Sequence, residues 1–308
     1  MLHGMAGRIT IHIPVLPREV LQWLDPRPGQ VIVDGTLGGG GHTRLIADQL
    51  ASGKREPPDA RDSSAGFVLA LDRDPAALAA AEESLAGLPV KIAQANFCDL
   101  GDVLDELGIA AVDGVLLDLG LSSDQLADES RGFSFDAGGE LDLRFNPDEG
   151  EPAWRLLARL KENEIADLIY EFGEERYSRR IARRIVEARA SRPVRSASDL
   201  AQLVRQCVPR SADRIDPATR TFQAMRIAVN RELQSLELAL KRIPDRLRPG
   251  GRLVIISFHS LEDRRVKEAF RDDPRLENLT KKPIRPSEQE QIANPRGRSA
   301  KLRVAARR

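Results

Sequence analysis

The sequence predicts an α/β fold: a Rossmann-like open sheet interrupted by an all-helical insertion and then resumed. Three observations predict it. Short continuous apolar runs alternate with helical patterns between Val31 and Gly120, as expected of parallel strands covered on both faces. The alternation stops after Leu126, and residues 153–208 read as helices alone. Strand character then returns in "GGRLVIISF", residues 250–258. The boundaries that follow are 1–126 and 218–308 for the two parts of the sheet domain and 127–217 for the insertion.

Taken in order, "VIVDG" (31–35) is a strand and "HTRLIADQL" (42–50) a helix. "GFVLALD" (66–72) is the next strand, with "KREPPDARDSSAG" (54–66) as a surface loop lengthening the first crossover. "PAALAAAEESL" (75–85) is a helix, opened by Asp74 as cap with Pro75 in its first turn. "VKIAQAN" (90–96) and "VDGVLLDLG" (112–120) are strands. In the insertion, "AWRLLARLKENEIADLIYEFG" (153–173), "RYSRRIARRIVEARAS" (176–191) and "SASDLAQLVRQCV" (196–208) are helical, the last with a Ser/Asp cap. "FQAMRIAVNRELQSLELALKRIPDRL" (222–247) reads as one long amphipathic helix, and the tail from Leu279 adds a hairpin at the sheet edge.

With 308 residues, 41% of them hydrophobic, the chain has material for a substantial core. No run approaches the roughly 20 apolar residues that span a bilayer, and Met1–Thr10 lacks the apolar core of a signal peptide, so a cytoplasmic protein without membrane association is expected. Cys98 and Cys207 have no metal-like spacing and read as buried free thiols, and no metal site is expected. The 47 basic and 47 acidic residues balance. Their distribution does not: Arg176–Arg195 holds eight arginines against one acid, Lys281–Arg308 is basic, and Asp124–Glu151 is acid-rich. Such runs suit phosphates, and equally a solvated helix face.

"VIVDGTLGGGGHT" (31–43) places five glycines within residues 35–41, directly after a strand that ends in an acid. Glycines there let main chain approach a ligand. The strands end in Asp34, Asp72, Asn96 and Asp118, all expected on the sheet rim where open α/β folds bind ligands. A dinucleotide loop is disfavoured, because Thr43 stands where a third glycine belongs and Asp34 would repel a pyrophosphate. A cationic ligand fits better. S-adenosylmethionine carries an ammonium and a sulfonium, and its ribose diol suits Asp72. Phe97 lies against the adenine or belongs to the core; both readings stand.

The ordered motifs "HIPVLPREVL", "VDGTLGGGGHT", "LDRDP", "DGVLLDLGLSSDQL", "RGFSF", "LDLRF", "GEERYSRRIARRIV", "TRTFQAMRIAVNREL", "GGRLVIISFHSLEDRRVK" and "NPRGRSAKL" resemble the bacterial ribosomal RNA small-subunit methyltransferase H family from about His12 to the C-terminus. The resemblance implies a Rossmann-like S-adenosylmethionine-dependent methyltransferase domain with a helical, substrate-recognising insertion. It also implies methylation of N4 of a cytidine in the decoding region of 16S ribosomal RNA, within the small subunit. Carried over by motif, the cofactor contacts are Gly40, Gly41, His42, Asp72, Phe97, Asp118 and Gln125; Asp34 is added from its charge. Pro17, Phe145 and Gly297 depart from the family's usual residues.

Cytosine N4 is a weak nucleophile, so its site must align the amino group and accept a hydrogen. The usual acid-or-Asn, Pro-Pro-aromatic motif is replaced by "DLGLSS", which leaves Asp118 as the acceptor candidate. His259 and Ser257 either line the base pocket or, for His259, cap the helix that follows. Methylation at carbon 5 would need a cysteine nucleophile, and neither cysteine lies in this motif. The target base must be unpaired or flipped out. Arg179, Arg180 and Arg183 form the candidate phosphate-contacting face. A non-catalytic ribosome-assembly factor is the competing class. The oligomeric state is open, a homodimer included.

Overall fold

A computed structural model describes residues 14–52, 66–135, 138–209 and 216–308. The loop expected at 54–66 lies, apart from Gly66, outside the described residues. The chain divides into two compact units, one of residues up to Asp124 with Leu238–Arg308, the other Gln125–Glu237. The second boundary falls 20 residues beyond the 217/218 division that the sequence pattern suggests.

The first unit begins with helix α1 (Pro17–Leu24), then β1 (Val31–Asp34), α2 (Gly41–Ala51), β2 (Phe67–Asp72), α3 (Pro75–Ser84), β3 (Val90–Gln94), α4 (Leu100–Glu106) and β4 (Val112–Asp118). Short α5 (Ser123–Ala127) leads to α6 (Ala153–Arg159), α7 (Glu162–Gly173), α8 (Ser178–Ser191), α9 (Ala197–Cys207), α10 (Thr219–Asn230) and α11 (Glu232–Arg242). The sheet resumes with β5 (Leu247–Ser257), followed by α12 (Ser260–Asp272), β6 (Leu276–Asn278), α13 (Glu288–Ala293) and β7 (Lys301–Arg307).

Among the described residues seven strands form one sheet in the order β3-β2-β1-β4-β5-β7-β6. The first five are mutually parallel, and β7 runs antiparallel to both neighbours. The hairpin expected from Leu279 onward is not what pairs: β7 is inserted between β5 and β6, the edge is taken by β6, which precedes Leu279, and the intervening tail contributes an isolated bridge, Ile284 with Leu302. Val115–Leu117 and Leu253–Ile256 are buried throughout, because helices cover both faces of these central strands. One core joins Val20 and Leu24 of α1 and Ile46 of α2 to Ile32, Leu116 and Val254; a smaller one sets Leu78, Ala81 and Leu85 against Leu37 and Ala70. Each such large apolar side chain contributes about 1.5–3 kcal/mol on burial. Asp74 caps α3 as its position beside Pro75 predicts, accepting from Ala76 N–H at 3.1 Å.

In the second unit Ser196 caps α9, accepting from Asp199 N–H at 3.0 Å. The long helix expected over 222–247 is instead two. Arg231 adopts a left-handed conformation (φ 53°) and ends α10. Tertiary hydrogen bonds hold the break: Asn230 Oδ1 accepts from Phe145 N–H and its Nδ2 donates to Leu143 O, both at 2.7 Å. Arg226 and Glu232 then bridge the break through paired contacts at 2.8 and 2.9 Å. Arg131 donates to the carbonyls of Arg144 and Phe145, so "RGFSF" and "LDLRF" fold against each other.

Candidate cofactor and acceptor site

Parallel register sets the site. Asp34 is level with Ala70 and Leu116, Asp72 with Gln94, and Asp118 with Ile256, so the three acids share the carboxyl rim of the sheet. After β1, Gly35 N–H donates to Leu116 O on β4 and Leu37 N–H to Leu71 O on β2, each at 2.9 Å, and the glycine loop thereby crosses the rim. A Cβ on Gly35 would lie 2.5 Å from Leu117 Cδ2 and 3.0 Å from Phe97 Cβ. Glycine is what lets the chain pass there, and it brings the half-buried Phe97 beside the loop.

Gly40 (φ 76°) opens α2 with no side-chain cap. The first N–H groups of a helix have no intrahelical partner and carry partial positive charge, which suits a carboxylate. Asp72 braces the loop: Oδ2 accepts from Gly38 N–H at 2.8 Å and Oδ1 from Asp74 N–H at 2.9 Å. Each oxygen retains lone-pair capacity for a diol. Burial pushes this carboxyl up, against the pull of the Asp74 and Gly38 N–H groups.

Asp34 is directed into the loop and is only 1% exposed. Oδ2 accepts from Thr43 Oγ1 at 2.7 Å, and Oδ1 from Thr36 N–H at 3.1 Å. Burial raises the Asp34 carboxyl to about 6 despite these bonds. Thr36 Oγ1 also accepts from Asp118 N–H at 2.7 Å, tying the ends of β1 and β4 together. Asp118 Oδ2 lies 3.6 Å from His42 Nε2, whereas Oδ1 is buried with no hydrogen-bond partner among the described residues. Its carboxyl is held well above the ordinary range by burial first, then by repulsion from Asp34 and Glu262.

The remaining candidates are placed as follows. Gly41 and His42 start α2, with His42 buried. His259 caps α12, its Nδ1 accepting from Glu262 N–H at 3.4 Å, while Glu262 Oε2 accepts from Phe258 N–H at 2.9 Å. Ser257 Oγ donates to Lys301 O at 3.4 Å, across to β7. Gln125, buried on α5, begins the second unit. Arg179, Arg180 and Arg183 are exposed on α8; Arg183 Nε is 3.7 Å from Glu162 Oε1, and the other two have no ion pair among the described residues. Sequence reasoning missed the roles of Thr36, Thr43 and Glu262. Glu262 was findable, because an acid three residues after the cap position is the capping-box spacing. Both cysteines are free and buried, as expected. No group of three or more potential metal-ligating acids, histidines or cysteines occurs among the described residues.

An uncapped helix start, bare main chain, a ribose-competent acid and a rim of carboxylates that repel one another fit S-adenosylmethionine: the helix start suits its carboxylate, Asp72 suits its ribose, and its positive charge would relieve the repulsion. With the inserted antiparallel β7, this defines a Rossmann-like S-adenosylmethionine-dependent methyltransferase. The motifs narrow it further. The chain belongs to the MraW methylase family, whose model matches residues 9–308. Ribosomal RNA small subunit methyltransferase H of Rhodopirellula baltica is 51% identical over 99% of this chain and 94% of its own. The proteins of that name from Cyanothece sp. and Pelobacter propionicus are 50% and 46% identical, over 96% and 95% of this chain and 95% and 97% of theirs. Among the described residues no helix is long and apolar enough to cross a membrane.

Proposed function

We propose that this protein methylates N4 of a cytidine in the decoding region of 16S ribosomal RNA, with the small ribosomal subunit as its partner. The observation that carries the chemistry is Asp118: a partly exposed carboxylate at the end of β4 with one oxygen unpartnered among the described residues. The RNA assignment is supported by full-length similarity to relatives named for the small-subunit RNA.

Bound S-adenosylmethionine supplies an electrophilic methyl group. The α2 N-terminus at Gly40, Gly41 and His42 holds its carboxylate, Asp72 its ribose hydroxyls, and Phe97 flanks its adenine. Gln125 and Asp34 complete the set assigned to the cofactor. The Asp118 carboxylate accepts the N4 hydrogen, orienting the amino lone pair toward the methyl and taking the proton as the new bond forms. Thr36 fixes the main chain at Asp118 and helps keep that carboxylate in place. His259, through its cap on α12, sets the chain that leads out of β5.

Arg179, Arg180 and Arg183 contact RNA phosphates. Their joint replacement by alanine is expected to weaken RNA binding and lower its salt slope by about 2; an unchanged slope removes them from the interface. The assignment as a whole is tested by incubating the protein with labelled S-adenosylmethionine and small subunits lacking the modification, then mapping the label. Label on a cytidine N4 of 16S RNA is expected. Cofactor binding without transfer would favour the assembly factor instead.

A further inference from the structure

The second unit contains a cavity of about 350 Å³ whose walls include Trp154, Leu157, Ile185, Val186, Ala190 and Pro193. Its wall is mostly apolar, and among the described residues Arg189 is its charged lining residue. Arg195 lies over the Trp154 ring at 4.5 Å and Arg155 at 5.2 Å. Arg189, in the wall, donates to the Leu157 carbonyl. Trp154 Nε1 is buried with no acceptor among the described residues.

Two residues of its wall, Val186 and Ala190, lie on the same helix as the arginine face, α8. Arg179, Arg183, Val186 and Ala190 follow one another at i, i+4, i+7 and i+11, so they form a single stripe along the helix, and all four are at least partly solvent-accessible. From Arg183 to Ala190 the stripe covers about 10 Å, comparable to one or two nucleotide steps. Positive charge at one end and an apolar, aromatic-walled hollow at the other match a polyanion bearing flat apolar rings.

We propose that this cavity takes an unpaired nucleobase of the RNA substrate, a base other than the one methylated, held against Trp154 while Arg179 and Arg183 contact the neighbouring phosphates. This rests on the assignment of RNA as substrate. It gives the helical unit a means of recognising single-stranded RNA that charge alone does not supply.

The test uses the full chain carrying Trp23→Phe, which leaves Trp154 as its sole tryptophan. A short single-stranded oligoribonucleotide is expected to quench Trp154 emission, and the same sequence in a duplex is not. Ala190 is exposed, so Ala190→Leu and Ala190→Glu are expected to melt like the parent. Both should weaken single-strand binding, by about 5- to 150-fold, the range of one base-stacking contact. Loss with Ala190→Glu alone indicates charge repulsion at a distance and overturns the proposal. Undiminished RNA binding with constant Trp154 emission overturns it while leaving the RNA assignment standing. Absence of both RNA binding and methyl transfer to small subunits overturns the RNA assignment, and this proposal with it. A Trp154 response to small-subunit proteins but not to RNA overturns it in favour of a protein partner.

Discussion

Replacing Asp34 with asparagine separates what its charge does for the fold from what it does for the ligand. Asp34 is held at about 6 instead of its ordinary 3.8, chiefly by burial. The folded state therefore binds this proton more tightly than the unfolded chain. The stability associated with the protonated form is complete below about pH 4, is lost as pH rises through about 6, and leaves a cost of about 3 kcal/mol above that. Asparagine keeps an oxygen for Thr36 N–H, and the Thr43 hydroxyl can turn to accept from the new amide. Because the amide does not titrate, Asp34→Asn should stabilise the protein by about 1.5 kcal/mol at pH 5 and about 3 kcal/mol at pH 7.5. Urea unfolding at the two pH values reads the difference. A variant less stable than the parent at pH 7.5, or a difference that does not change with pH, would refute the buried-charge account. The same variant bears on the ligand. If the charge assists a cationic cofactor, calorimetry should show S-adenosylmethionine binding weakened by about 10- to 100-fold even as the fold gains stability.

Asp118→Asn is expected to retain cofactor binding within about tenfold and to lose about 10²- to 10⁴-fold in single-turnover methyl transfer. For the parent, transfer should fall as pH is lowered, with its inflection above the ordinary carboxylate range, because burial, Asp34 and Glu262 all favour protonation of Asp118. Gly40→Ala forces a Cβ onto φ 76° and should cost about 1–2 kcal/mol in unfolding experiments, together with cofactor affinity. Asn230→Ala leaves Phe145 N–H and Leu143 O without their partner and should cost about 2–4 kcal/mol, read in the urea midpoint of the second unit.

Much of the site was legible because its signals are local. A glycine run between a strand and a helix, and acids at strand ends, place main chain and carboxylates on one rim whatever the rest of the chain does. Asp74 beside Pro75 announced its own cap. Less visible were the partners of those acids. Asp34 is satisfied within its own loop, by Thr36 two residues on and Thr43 nine residues on, but that Thr36 also holds Asp118 depends on the register of β1 against β4, which no local pattern encodes. Helix α4 was missed because "LGDVLDE" is too short to show a clear period.

By itself the sequence determined the alternation of strands and helices, the acids on the rim and the glycine loop between them, since propensity, periodicity and capping act over a few residues. Tertiary structure alone decided where β7 enters the sheet, that the apolar pattern over 222–247 breaks at Arg231, and how strongly each carboxyl holds its proton. Those outcomes depend on burial and on partners far along the chain: Asn230 reaches back to Leu143 and Phe145, and Asp118 is raised by Asp34 and Glu262 from elements on either side of it.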